Sequence, residues 1–205
     1  MRAADGDPSR IMPYDYVMMT LVSFDDPGLV ILPTHRLLRR LSADAIASFA
    51  ARARDFFEVE SFADAAMMRT ALAARGRGAL GVALKGSSTA RLLRLKRDDL
   101  LATALPSVPD EVRQLDVSIL HALVLDRIFG ISSDDVRAGG NIEYTIDAEG
   151  ALREVASGAA DGVFLMNPPT VHDVARVSTA GAVMPEKSTY FYPKLLTGLI
   201  MNPLE

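Results

Sequence analysis

Apolar residues recur along this chain at two periods, near two and near 3.6, and the switches between them divide it into elements. Residues 14–24, rich in Val, Met, Thr and aromatic side chains, read as a buried strand, and 29–32 as its returning partner. Between them Asp25-Asp26-Pro27-Gly28 has turn chemistry, because proline presets φ and glycine accepts a positive one. Ser42 caps a helix on which Ile46, Phe49, Ala50, Ala53, Phe56 and Phe57 form one apolar stripe. Ser61 with Asp64 resembles a capping box for a second helix, which Gly76 stops after Arg75. Residues 78–84 and 90–96 then read as a hairpin joined through Gly86-Ser87-Ser88.

A short helix at 98–105 is broken by Pro106 and Pro109, the best place for a boundary between subdomains at 14–105 and 106–205, behind a flexible N-terminal segment at 1–13. One continuous domain is the alternative. Asp116 opens a helix to Phe129, closed by Gly130, with Val117, His121, Val124 and Ile128 on one face. The last third reads β-α-β-α-β. Strands at 141–146 and 162–166 flank a helix opened by Asp147, and Thr170 with Asp173 caps the next helix; final strands lie near 189–192 and 196–201. If the strands at 141–146 and 162–166 share a sheet, the helical crossover makes them parallel neighbours. The expected fold class is α+β, a mixed β-sheet with hairpins and packed helices.

At 205 residues and 49% hydrophobic the chain can bury a substantial core. It has no cysteine, which excludes disulfides, Cys-ligated zinc, iron–sulfur clusters and a thiol nucleophile. The apolar runs at 17–22 and 119–125 fall far short of the roughly 20 residues of a membrane span. The first residues lack the apolar core of a secretory signal, so a cytoplasmic protein with no membrane partner is expected. A net charge of 22 − 26 = −4 argues against a large nucleic-acid footprint. Arg36, Arg39 and Arg40, and then Arg91, Arg94, Lys96 and Arg97, read more readily as solvated faces than as nucleic-acid contacts.

Gly76-Arg77-Gly78-Ala79-Leu80-Gly81 matches G-x-G-x-x-G letter for letter, but a helix precedes it and a strand follows, the inverse of a dinucleotide-binding turn. His35, His121 and His172 fall on separate elements without ligand spacing, so no metal site is expected. His121, on an apolar helix face, reads as a core histidine and only secondarily as a catalytic one. Pro33-Thr34-His35-Arg36 gathers a hydroxyl, an imidazole and a guanidinium at a strand end; Thr34 and Arg36 are candidate anion contacts and His35 a candidate acid or base. The densest polar stretch is Met184-Pro185-Glu186-Lys187-Ser188-Thr189-Tyr190-Phe191-Tyr192-Pro193-Lys194. If it is extended, Ser188, Tyr190, Tyr192 and Lys194 share one face and Lys187 and Thr189 the other, a donor-rich arrangement suited to phosphate or carboxylate. An edge strand protected by Pro193 and its lysines is the competing reading.

Three stretches, residues 29–36, 115–121 and 184–194, resemble segments of the prokaryotic domain-of-unknown-function family 1015. The resemblance runs from about Tyr14 to Leu204 and is to the C-terminal half of that family, whose fuller members carry a ParB-like His-His-Arg segment absent here. Some ParB-like relatives are nucleotide-dependent, including kinases of free serine. The resemblance therefore implies phosphate or nucleotide chemistry, with ATP or ADP and Mg as cofactors of the complete protein, and a small anionic ligand. It equally implies a non-catalytic module that supports or dimerises an N-terminal partner domain, or pairs with another copy. A regulatory nucleic-acid role is the weakest implication. The resemblance assigns no role to any residue.

Overall fold

The computed structural model describes residues 11–196, 198 and 200–202. It divides into two compact units, one holding the described residues up to Val30 with those from Phe191 on, the other Ile31–Tyr190. The segment expected to be flexible at 1–13 lies mostly outside the described residues.

In the first unit the turn at residues 25–28 forms as its chemistry dictates, with the Leu29 N–H donating to the Asp26 carbonyl at 3.0 Å and the Gly28 N–H to Asp26 Oδ1 at 2.8 Å. The strand expected at 14–24 does not form: Pro13–Asp15 is a 3-10 turn and residues 16–24 lie outside regular structure. Their apolar side chains stay uncovered, Leu21 at 90% exposure. β-propensity is realised only against a covering surface, and composition alone does not supply one. The strand expected at 196–201 falls partly outside the described residues, and Leu196, Ile200 and Met201 are exposed.

From β1 (Val30–Leu32) the chain passes into β2 (His35–Leu38) and α1 (Ala43–Ala53), where the Ser42 hydroxyl accepts from the Ala45 N–H as expected. The helix stops earlier than its apolar stripe suggests, because residues 57–62 alternate with period two and form β3 (Phe57–Phe62). Asp64, not Ser61, caps α2 (Ala65–Arg75), and Gly76 ends it at φ 65°. β4 (Ala79–Leu84) and β5 (Ala90–Leu95) form the expected hairpin. After α3 (Asp99–Ala104) and α4 (Asp110–Arg113), α5 (Asp116–Ile119) runs on as a π-helix, Leu120–Phe129. α6 (Ser133–Ala138), β6 (Ile142–Thr145), α7 (Ala148–Ser157), β7 (Gly162–Met166) and α8 (Val171–Thr179) follow, and β8 (Tyr190–Tyr192) pairs with β1.

Six strands form one sheet in the order β3-β5-β4-β7-β2-β6, with antiparallel neighbours throughout. The fold is α+β. β6 and β7 share the sheet and point the same way, but they are not neighbours: β2 lies between them, antiparallel to both. One face carries α1, the π-helix and α8 over Leu38, Leu80, Phe164 and Met166; the other carries α2 and α7 over Leu37, Leu92, Val163 and Leu165. The Phe49 ring stacks on Phe129 at 5.4 Å and meets Phe164 edge-on at 5.9 Å, tying helix, π-helix and sheet together. Leu101, Val112 and Leu115 belong to that same core, so Pro106 and Pro109 turn the chain inside one unit rather than between two.

α2 packs tightly over Gly81 of β4: a Cβ there would meet Met68 Sδ at 2.4 Å and Leu72 Cδ2 at 3.3 Å. Gly81→Ala should therefore destabilise the protein by about 1–3 kcal/mol in urea unfolding. Combined with Met68→Ala it should cost less than the sum of the single changes. Additive costs would show that Met68 is not what the new methyl meets.

Candidate functional site

Strand geometry sends successive side chains of β2 to opposite faces of the sheet. Thr34 and Arg36 point toward a pocket on the α5 side, while His35 borders a groove on the α2 side. The trio that adjoins in sequence is split by the sheet.

Arg36 is only 1% exposed. Its Nη1 donates to the Thr34 carbonyl and, at 3.1 Å, meets Met166 Sδ; its Nη2 donates to the Lys187 carbonyl at 3.0 Å. The Tyr144 ring, opposite Arg36 in the β2–β6 register, lies 5.4 Å from Cζ. Arg36 Nε is sealed from solvent with no acceptor, and no carboxylate among the described residues pairs with the guanidinium. Burial lowers the Arg36 pKa to about 10, with Tyr144 acting in the opposite sense, so the group stays cationic at neutral pH. A buried cation without a counter-ion costs several kcal/mol.

That cation forms part of the wall of a pocket of about 130 Å³. Thr34 and Arg36 come from β2 and its approach, Gly76 and Arg77 from the turn after α2, and Leu115, Asp116 and Val117 from the start of α5. Met166, Asn167, Pro168, Pro169 and Thr170 come from the β7–α8 connection, with Asp173, Met184 and Ser188 closing the remainder. Asp116 accepts the Gly78 N–H at 2.7 Å, which fastens α5 to the turn carrying Gly76 and Arg77. Burial raises the Asp116 carboxyl to about 6, against the pull of the Gly78 N–H and Arg77, with Asp173 adding to the rise. For Asp173 burial also opposes ionisation, but the Thr170 N–H and hydroxyl and Arg176 outweigh it and hold the group below the usual carboxylate range. The pocket thus offers a fixed cation, a fixed anion and a carboxyl that titrates near neutrality.

The 184–194 stretch gives this pocket Met184 and Ser188, and gives Arg36 the Lys187 carbonyl. Lys187 adopts φ 56°, with its carbonyl on Arg36 and its side chain exposed. Ser188 is buried at the pocket wall, its hydroxyl donating to the Pro185 carbonyl at 2.6 Å. Thr189 and Tyr190 are half-buried and do not line the pocket, while Tyr192 and Lys194 belong to the other unit and are exposed. His35 Nδ1 accepts the Met166 N–H at 3.1 Å, and burial, then Arg36 and Arg69, lower its pKa to about 4 despite Asp147. His121, on the π-helix, has its Nε2 sealed and unpartnered; burial and then Arg36 bring it to about 4.

No chemical motif marks Asp116, Asn167 or Asp173; Asp116 and Asp173 carry helix-opening signals, but their convergence depends on distant pairing. Among the described residues no group of three or more His, Cys, Asp or Glu is placed to hold a metal ion, and no helix is long and apolar enough to cross a membrane.

A solved structure of a conserved hypothetical protein from Pyrococcus furiosus aligns with a TM-score of 0.47 and 14% identity, over 84% of this chain and 60% of that one. A free serine kinase in complex with AMP aligns at 0.48 and 13%, over 84% and 57%, and a mutant of a free serine kinase in complex with ADP at 0.47 and 14%, over the same shares. This chain spans less than two thirds of the length of those chains. No curated protein matches it. The model of the family described as "Protein of unknown function (DUF1015)" matches residues 1–118, which include Thr34, His35, Arg36 and Asp116, while His121 and the 184–194 stretch lie beyond the match. The match takes in more than half of the sequence, and the chain belongs to the DUF1015 family.

Proposed function

We propose that the Ile31–Tyr190 unit binds a small metabolite through an anionic phosphate or carboxylate group held near Arg36, as part of a metabolic enzyme in which Asp116 gives or takes a proton. The observation that carries this reading is the buried guanidinium with no carboxylate partner among the described residues: its carbonyl and thioether partners satisfy hydrogen bonds but not charge. An anion entering the pocket supplies the missing counter-charge in a dry setting, where it counts most. Asp116, titrating near 6, suits proton transfer at neutral pH better than His35, which faces the other side of the sheet.

The pocket interior is smaller than the roughly 300–1,000 Å³ typical of sites that enclose a drug-sized ligand. A phosphate group or a compact carboxylate fits within it, and ATP or ADP would enter by a terminal phosphate with the nucleoside outside. Among the described residues no group of three or more His, Cys, Asp or Glu gathers, so a magnesium ion would be held here mainly by the phosphates themselves and water. The exposed apolar side chains between Tyr16 and Phe24 favour a second, compatible reading in which the described N-terminal residues meet another copy of the chain.

Inorganic phosphate or ADP should raise the melting temperature of the wild-type protein, by the equivalent of about 2.7 kcal/mol at a hundred times Kd. Arg36→Met should abolish that shift, while its unliganded melting temperature stays within a few degrees of wild type, since removing an unpaired charge offsets the loss of the donors to Thr34 and Lys187. A ligand shift that survives in Arg36→Met would remove the guanidinium from the site.

Because the native Asp116 carboxyl holds its proton to about pH 6 and the unfolded chain only to about 3.8, its contribution to stability is full below pH 4 and lost as pH rises through 6. Asp116→Asn should therefore gain on wild type by about 3 kcal/mol between pH 4 and pH 7, read as the difference between two urea-unfolding series. A constant difference across that window would show that the carboxyl is not buried. For the second reading, light scattering at high concentration should find dimers that Leu21→Glu dissociates; a monomeric wild type counts against it.

A further inference from the structure

Behind β2, on the sheet face opposite Arg36, α2 and α7 leave a groove of about 450 Å³ that the anion pocket does not use. Buried Leu72 and Leu165 give it an apolar base, with Ala66, Ala73 and Ala148 beside them and Thr70 and Asn167 among its polar lining. His35, 5% exposed, borders it. Because His35 Nδ1 accepts the Met166 N–H, the neutral ring carries its proton on Nε2. That Nε2–H is the ring's remaining donor. Arg69 of α2 lines the same groove, with its side chain 40% exposed and its Nη1 3.2 Å from Glu149 Oε1.

We infer that this groove is a second ligand site, built for a monocarboxylate with an apolar body and separate from the pocket at Arg36. A buried imidazole N–H and a guanidinium fork match the two oxygens of one carboxylate, and the alanine and leucine floor takes the hydrocarbon. A doubly charged phosphate suits it less. Glu149 already shares the Arg69 guanidinium and the imidazole is neutral, so a ligand's second negative charge would find no cation to meet it. The volume lies in the ordinary range for small-molecule sites, roughly 300–1,000 Å³.

The two cavities share Met166, Asn167 and Pro168 as a common wall. Met166 offers its backbone N–H to His35 and its sulfur to Arg36, so the sites adjoin without sharing a charged group.

The test is a titration of the full chain, labelled with 15N-histidine, with sodium benzoate and separately with inorganic phosphate. Benzoate should move the His35 Nε2 resonance saturably, and Arg69→Met, a change at a partly exposed side chain, should weaken the response at least tenfold. Arg36→Met should shift the His35 resonance of the free protein, because a neighbouring charge is lost, but keep the benzoate affinity within about twofold, which separates this site from the pocket proposed above. No saturable response in the wild type, an undiminished one in Arg69→Met, or one lost in Arg36→Met would overturn the second site. An equal response to phosphate would overturn the carboxylate assignment.

Discussion

A guanidinium buried on the strand next to the sheet's edge, with no carboxylate partner among the described residues, is the constraint around which the larger unit is arranged. Such a charge persists only when surrounding groups are placed to tolerate it. Here Thr34 and Lys187 lend carbonyls, Met166 a polarisable sulfur and Tyr144 a ring face, from segments far apart in sequence. Lys187 takes up a left-handed backbone to do so, a conformation that costs a non-glycine residue about 1–2 kcal/mol. The turn that holds it is secured by the Ser188 N–H and hydroxyl, both on the Pro185 carbonyl.

How much of this is legible in the chain depends on how local each signal is. Caps at Ser42 and at Thr170 with Asp173, the stop at Gly76 and the hairpin of β4 and β5 involve near neighbours, and they form where residue chemistry places them. The helical reading of Phe56 and Phe57 fails because two short-range patterns overlap there, and the period-two run of β3 prevails once β5 is available to pair with it. Pairing partners are non-local. Nothing within residues 141–166 announces that β2, a hundred positions earlier, inserts between β6 and β7.

The pocket follows the same division. Thr34 and Arg36 stand out as polar residues at a strand end, and Ser188 as part of a donor-rich stretch, and they do meet around one cavity. Asp116 reads in sequence only as a helix opener; its burial comes from Gly78, 38 positions away, and from α8. The lysines and tyrosines of the 184–194 stretch show the opposite limit. Their side-chain chemistry is conspicuous in the sequence, yet it is the Lys187 carbonyl that reaches the guanidinium.

The π-helix adds a second polar irregularity, since His121 sits near its start with a sealed, unpartnered nitrogen whose basicity burial, and then Arg36, depress. Runs of this kind are rare and recur at functional sites. The alternation of β2 carries a further consequence for how the family can vary. Because His35 and Arg36 differ by a single step along one strand, gaining or losing one residue inside that strand would exchange imidazole and guanidinium between the two sides of the molecule. Point changes there alter one cavity at a time, whereas indels within β2 would scramble both at once, so length drift should be confined to the flanking connections.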